Sequence, residues 1–519
     1  MKRTIVVAVC LLAAVALAVT GCTRTAPGPG QPEPKISKDI VLAMNTEIRT
    51  LDPHKSNDGP SILTWNFIYN TLVDLDIAKG TIVPALAESW THPDETTIRF
   101  NLRRGVKFHD GTELKASDVV FSIKRLIDPA TASPAAYLLN VISEVKADDD
   151  YTVTVKLKNP FSPIMFHFSH PAASIVPEAA VKALGEDFAR KPVGSGPFKF
   201  VDHVKGDRVE FARFEGYWGG APVPEKVTVR IIPEPSTQVA ELEAGGVHLA
   251  FNIPTHEVAR LQDTKGIEVL TVMGWSISGF TFNLQRQPFG DVRVRQALNY
   301  ALDKEAIVEH VERGLGIPAA QILSPVVFGY DPDLKPYPYD VAKAKQLLAE
   351  AGYPNGFQTR LLVWNIERFV RFAEAVQAQL AKVGVDAKLD IIEFGTALDM
   401  AYRGDFDISI MGWGTPTLDG DYTMYALMHS DNWGPAGNWG FYRNDEVDRL
   451  IVEARTTTDI KVREAAYHRA SALILQDAPW IFSHHPMVAY AKRSTLKDVE
   501  VPISYIYTNL LKAYVQEDK

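Results

Sequence analysis

Between Trp413 and Tyr425 the chain collects residue types that recognise small polar molecules. Trp413, Thr415, Asp419, Asp421, Tyr422 and Tyr425 fall within the run GWGTPTLDGDYTMY, and Trp439 follows soon after. An indole or phenol ring offers a broad apolar face with a polar tip, and a carboxylate accepts an ammonium group or a metal cation. Two carboxylates two residues apart are also raw material for acid–base hydrolysis. The preceding residues say how the group is carried. Phe406, Ile408 and Ile410 alternate with Asp407, Ser409 and Met411, which predicts a strand over Asp405–Met411. Gly412, Gly414 and Pro416 then read as its end, because such residues punctuate regular pairing. A strand that runs into a Gly-rich, aromatic and acidic loop makes a cleft floor; the alternative is a surface loop around one buried Trp.

Other arrangements carry less chemistry. The chain has no Gly-x-Ser-x-Gly, no phosphate-binding Gly-x4-Gly-Lys-Ser/Thr and no His-Glu-x-x-His. Gly314-Leu315-Gly316 follows a helical stretch and lacks a third glycine, so it is no dinucleotide loop. His167 and His170 have helical spacing but sit among Phe166 and Phe168, which reads as packing. His484 and His485 are adjacent on a predicted strand and point to opposite faces, so they do not share an ion. No metal site and no cofactor is expected.

At 519 residues the chain exceeds one core and should form two or more domains. Hydrophobic residues make up 46% and charged residues 23%, an ordinary globular balance. The net charge of −9 excludes a nucleic-acid surface. Lys2 and Arg3 precede an apolar run from Ile5 to Val19, too short for a span and placed as a targeting leader. The run closes on Val19-Thr20-Gly21-Cys22, which resembles a bacterial lipoprotein signal and implies cleavage before Cys22 and lipid on its thiol. Loss of residues 1–21 removes two positive charges, giving −9 − 2 = −11. Cys10 lies in the leader, so the mature chain keeps one cysteine and has no intrachain disulfide. Residues 22–37 are rich in Pro and Gly and read as a flexible tether.

Beyond the tether, strands dominate to about Asn283: Ile40–Ala43, Ile98–Leu102, Tyr151–Leu157 and Lys226–Ile232, with helices over Ser61–Leu72, after Ser117 and after Ser236. From Asp291 helices alternate with strands. Asp291, Asp303 and Asp340 stand as N-caps, Phe369–Leu380 and Leu398–Arg403 read as helices, and Val385–Ile391 as a strand. Two late helices, Asp445–Ala454 and Lys461–Leu475, precede a last strand over Pro479–Tyr490. The pattern predicts an α/β layer structure. A return of the last strand to the first domain would make two crossings, near Asn283 and near His484, and so a hinged two-lobe layout.

Several segments carry a family resemblance. PALAESW at 84–90, LRRGVKFHDGTELKASDVVFSIKRL at 102–126, VGSGPF at 193–198, Tyr217-Trp218, FNLQRQPFGDVRVRQALNYALDKEAI at 282–307, DVAKAKQLLAEAGYPNGF at 340–357 and Asp477–Ile481 resemble the extracytoplasmic solute-binding proteins of peptide-type ABC importers. That family includes dipeptide-, oligopeptide-, nickel- and glutathione-binding members. The resemblance implies a two-lobed periplasmic-binding-protein-like α/β fold. Lobe 1 would span 38–283 plus 486–519, with an extra subdomain at about 84–190, and lobe 2 would span 284–485. It makes His109-Asp110-Gly111 and Val193–Phe198 structural landmarks. His248 stands where the family often has an acidic residue.

The resemblance also implies a ligand site. Trp413, Thr415, Tyr422 and Trp439 would line it, and Asp419 or Asp421 would take an ammonium group. Arg368, with Arg371 second, would take a carboxylate, because a guanidinium fork matches one bidentately. In dipeptide-binding relatives an Asp three residues after the Trp holds the α-amino group; here that position is Pro416. The segments Gly412–Thr417, Asn432–Pro435 and Phe441–Asn444 look closer to the glutathione-binding branch. The implied function is a receptor, lipid-anchored on the outer face of the cell membrane or periplasmic, that captures a peptide-like solute and delivers it to an ABC permease without breaking a bond. Glutathione, a nickel chelate or haem are alternative ligands; a secreted hydrolase using Asp419 and Asp421 is the alternative of another class.

Overall fold

The computed structural model describes residues 36–516 apart from 57, 252, 435 and 436. The leader, the lipidation position Cys22 and residues 22–35 of the tether lie outside the described residues. Ile36–Ser37, read as the end of the tether, instead pairs antiparallel with Val515 and Gln516.

The buried apolar residues form two main cores. One gathers residues from Ile40 to Phe251 and is completed by Tyr490 to Val515. The other runs from Ile277 to Phe482, with Ile503. Phe280 and Phe282, placed by sequence at the end of the first lobe, belong to the second core. They lie on the Ser276–Phe282 strand, which is hydrogen-bonded to Ile408–Gly414 along its whole length.

A long sheet threads both cores. From one edge its strands are Asp386–Ile392, Gln358–Trp364, Ile408–Gly414, Ser276–Phe282, Trp480–Arg493, Leu249–Ala250, Asp39–Met44, Lys226–Ile231, Arg208–Arg213 and Phe198–Val204. Gln358–Trp364 runs parallel to both neighbours. Parallel neighbours need crossovers, supplied here by the helices Glu367–Ala381 and Phe394–Tyr402. The Trp480–Arg493 strand is shared. Its first half pairs with Ser276–Phe282, and its second half pairs with Leu249–Ala250 and Ile267–Met273.

A separate four-stranded sheet, in the order Ala87–Asp94, Thr97–Leu102, Thr152–Leu157, Ile142–Asp149, contributes its buried side chains to the first core. The helix Ala116–Ile127 covers it, starting one residue before Ser117, and the Asp118 carboxylate accepts from the Lys115 N–H at 3.0 Å. Arg125 on that helix donates to both oxygens of buried Asp52 at 2.8 and 2.5 Å. The first helix is shorter than its apolar spacing predicts, Gly59–Ile68, because Tyr69 turns extended and its hydroxyl reaches the Leu51 carbonyl at 2.9 Å.

The landmark segments pack closely. A Cβ on Gly194 would sit 2.0 Å from the Ile68 carbonyl oxygen, so only glycine fits. His109 Nε2 lies 3.0 Å from the Gly196 carbonyl oxygen. The Val41 N–H donates to His248 Nδ1 at 3.0 Å, a bond that needs the neutral ring and that a carboxylate would meet with a different reach.

Candidate functional site

The strand carrying Trp413 does not stop at Gly412. It spans Ile408–Gly414 and pairs through Ser278↔Gly412, Ile277↔Trp413 and Ser276↔Gly414. The two glycines provide room, not a turn. A Cβ on Gly412 would lie 3.0 Å from the Phe369 ring, and one on Gly414 would lie 3.0 Å from Trp275 Nε1. Trp413 is therefore fixed by a ladder from behind while its half-buried ring faces Tyr422, with centroids 5.8 Å apart. Tyr422 in turn faces Tyr137 at 6.2 Å, and Trp275 meets Tyr507 edge-on at 6.2 Å. Tyr137 sits in the short turn Ala136–Leu138, whose Leu138 belongs to the first core, and Tyr507 touches both cores. Aromatic rings from both halves thus meet in one run.

The other sequence-predicted residues take distinct places. Thr415 is buried, and its hydroxyl is 2.6 Å from that of Thr423 while its N–H donates to the Trp275 carbonyl at 3.2 Å. It holds the loop onto the following helix. Trp439 lies in the second core against Tyr402, 5.5 Å between centroids.

The two carboxylates differ sharply. Asp419 caps the helix Gly420–Met428, accepting from the Asp421 N–H at 2.9 Å. It is fully buried, and Arg463 Nη2 donates to its two oxygens at 2.9 and 2.8 Å. Its lone pairs are committed inside the protein. Asp421 is 4% exposed, and its Oδ1 has no hydrogen-bond partner among the described residues. Arg455 Nε lies 3.6 Å away, an ion pair without a hydrogen bond. Burial pushes the Asp421 carboxyl up to about 7, Arg455 opposes this, and the Asp419 charge adds to it.

Arg455 links the halves. Its guanidinium stacks 3.6 Å from the Tyr425 ring centroid and 5.1 Å from that of Phe161, in the first core. Its carbonyl accepts from the Ser162 N–H at 2.8 Å, and the Ser162 hydroxyl donates to the Thr457 carbonyl. Phe166 meets Phe328 at 5.7 Å. Beside this seam a cavity of about 490 Å³ lies between Trp90, Phe161 and Phe166 on one side and Phe328, Ile460 and Arg463 on the other. His167, buried beside the seam, has Nδ1 2.7 Å from the Leu138 carbonyl oxygen, and burial lowers its pKa to about 4. His170 Nδ1 accepts from the Ala172 N–H at 3.1 Å.

Arg368 is exposed in the first turn of Glu367–Ala381, its guanidinium 4.5 Å from the Phe369 ring that packs under Gly412. Arg371 points back to Glu367 at 3.6 Å. Both arginines act on Glu312, which lies 3.4 Å from His484 Nε2. Burial raises the Glu312 carboxyl, but the His484 contact and the arginine charges outweigh it, leaving it below the usual range. A cationic helix start thus adjoins the Trp413 end of the sheet.

Sequence reasoning missed Tyr137, Phe161, Arg455 and Arg463. Tyr137, Arg455 and Arg463 stand in ordinary helical turns and Phe161 in an irregular stretch, and what sets them apart is contacts across the chain that no local pattern encodes.

This layout, two α/β halves sharing a long sheet with an aromatic seam between them, is that of the two-lobed periplasmic binding proteins. The fold superposes on HbpA2 from Haemophilus parasuis with a TM-score of 0.87 at 29% identity, covering 92% of this chain and 100% of that one. It superposes on the periplasmic binding protein DppA from Helicobacter pylori, in complex with the peptide STSA, with a TM-score of 0.74 at 31% identity, covering 93% and 99%. The glutathione-binding protein GsiB of Escherichia coli (strain K12) is 34% identical over 456 residues, 86% of this chain and 88% of that protein. The family described as bacterial extracellular solute-binding proteins, family 5 Middle, matches residues 81–435. The chain belongs to that family: it is a solute-binding protein of the kind that serves ABC importers.

Proposed function

We propose that this chain captures a short peptide-like solute, glutathione first among the candidates, and presents it to the permease of an ABC importer. The observation that carries the reading is the aromatic run Trp413–Tyr422–Tyr137, which draws rings from both halves to one place. A ligand seated there touches both lobes and favours the arrangement in which they meet, by its differential affinity for it. Asp421, buried beside the run with an oxygen free, receives the ammonium group, and Arg368, exposed at the Trp413 end, receives a carboxylate. The resemblance to the glutathione-binding protein supports this choice, as does Pro416 in the place where dipeptide-binding relatives carry an Asp.

The protein binds without turnover. A hydrolase using Asp419 and Asp421 needs both carboxylates at the substrate, and Asp419 is occupied by Arg463. A lipid on Cys22 holds the receptor at the outer face of the membrane; among the described residues no helix is long and apolar enough to cross one.

Isothermal titration with glutathione, di- to pentapeptides and Ni²⁺ tests the reading. Saturable heat with glutathione or a short peptide is expected, reduced about tenfold by Arg368→Ala, in keeping with a charged hydrogen bond. No heat from any of these ligands sinks the peptide reading. Recovery of cleaved ligand sinks the binding-only reading.

A further inference from the structure

A cavity of about 690 Å³ lies under the Val73–Asp76 strand and against the 500–511 segment, and shares Tyr507 with the aromatic run. Its volume is in the range of small-molecule sites, roughly 300–1,000 Å³. Its lining is chemically one-sided. Asp74, Asp76 and Glu500 contribute three carboxylates, and among the described residues no Lys, Arg or His lines it. Phe67, Tyr217 and Tyr507 contribute aromatic faces. Two of the acids have partners: Asp76 is bound by Lys79 at 2.7 Å, and Glu500 accepts from Asn509 Nδ2 at 3.1 Å. Among the described residues Asp74 accepts only from the N–H of its own neighbour Leu75, at 2.8 Å, and forms no ion pair.

Asp74 also combines two properties that are normally opposed. Its surface is accessible, yet desolvation by surrounding protein raises its carboxyl pKa. The accessible surface is therefore the inside of a concavity, not open solvent. Its charge acts on both tyrosines, raising the phenols of Tyr217 and Tyr507 in addition to the larger effect of their burial. A carboxylate with no counter-ion in a cavity that also offers aromatic side chains is an environment that stabilises an organic ammonium ion, through charge and through the ring quadrupoles. An anion would meet three carboxylates, and a neutral molecule would leave Asp74 uncompensated.

We infer that this cavity is a second binding site, which takes an organic cation, an amine or quaternary ammonium with an apolar body, on Asp74 between Tyr217 and Tyr507. The site is built largely from residues of the first half and does not rest on the ligand proposed for the aromatic seam.

Titration of the full-length protein with benzyltrimethylammonium, with benzoate as the anionic control, tests the inference. The cation binds saturably and benzoate does not. Asp74→Asn weakens the cation by about tenfold or more, while Trp413→Ala leaves it within about twofold. Glu500→Gln and Tyr217→Leu each weaken it several-fold, and these decide the matter if Asp74→Asn does not fold. Absence of cation binding, equal binding of benzoate, or loss on Trp413→Ala with retention in Asp74→Asn overturns the inference. Glutathione titrated into the same variants separates the two sites, because Trp413→Ala removes its binding and Asp74→Asn does not.

Discussion

The first turn of the Gly420–Met428 helix holds two carboxylates in opposite conditions. Asp419 caps the helix, is sealed from solvent and has both oxygens taken by Arg463. Asp421, two residues on, is almost as buried but keeps an oxygen without a partner, and its nearest cation, Arg455, is turned to stack on Tyr425. Burial therefore does not distinguish the two acids; satisfaction does. A saturated buried pair fixes the helix at its start, and the unsatisfied group beside it is left able to gain by meeting a ligand.

Removing one side of the saturated pair breaks this contrast most strongly. Arg463→Met leaves Asp419 buried and uncompensated and lowers stability by about 3–5 kcal/mol, read as a fall in the urea unfolding midpoint. Adding Asp419→Asn to that variant recovers much of the loss. If Arg463→Met is as stable as the wild type, the pair is not the anchor. Next comes the recognition side. Trp413→Ala removes the aromatic platform and weakens ligand binding by about 2 kcal/mol or more, the scale of an interface hot spot. Its melting temperature changes little, because the ring is only half-buried. A variant that melts early and binds normally would reverse the assignment.

Asp421→Asn sharpens the comparison through pH. The folded-state carboxyl titrates at about 7 against an ordinary 3.8, so between these values the folded protein holds a proton the unfolded chain has released. This group's contribution to stability is full below about pH 4 and is lost as pH rises through about 7. The Asn variant lacks that slope, and thermal melts across the range show it. In the wild type a bound ammonium draws the proton off Asp421, so affinity for an amine-bearing ligand rises as pH rises through about 7. Affinity flat in pH for both proteins removes Asp421 from the site. The smallest effect is Tyr137→Leu, which loses one ring contact across the seam and costs about 0.5–1.5 kcal/mol of ligand affinity, again measured by titration.

Much of the fold was legible because periodicity and caps are local. Asp291 and Asp340 cap the helices Val292–Tyr300 and Val341–Glu350 as their positions predict. The strand at Lys226–Ile231 and the helix at Glu367–Ala381 follow their apolar spacing. The misreading at Gly412 and Gly414 has a physical source. Glycine serves a turn by its backbone freedom and a crowded strand by its missing side chain, and sequence does not say which. Phe280 and Phe282 join the second core for a related reason: which core a strand joins depends on its pairing partner, here Ile408–Gly414. At the site, Trp413 and the two carboxylates stood out by residue type. Their division into an anchored and an unsatisfied acid did not, because it is set by Arg463 and Arg455, which come from two separate helices further along the chain.

The Trp480–Arg493 strand also bears on how the chain acquires its structure. It supplies pairing partners to the sheet on both sides, and the first half of the molecule is completed by residues beyond it, up to Val515. During synthesis neither half can close until residues 480–515 have been made. Contacts that join segments so far apart in sequence form slowly, so the closing of both halves waits on the arrival of this one strand.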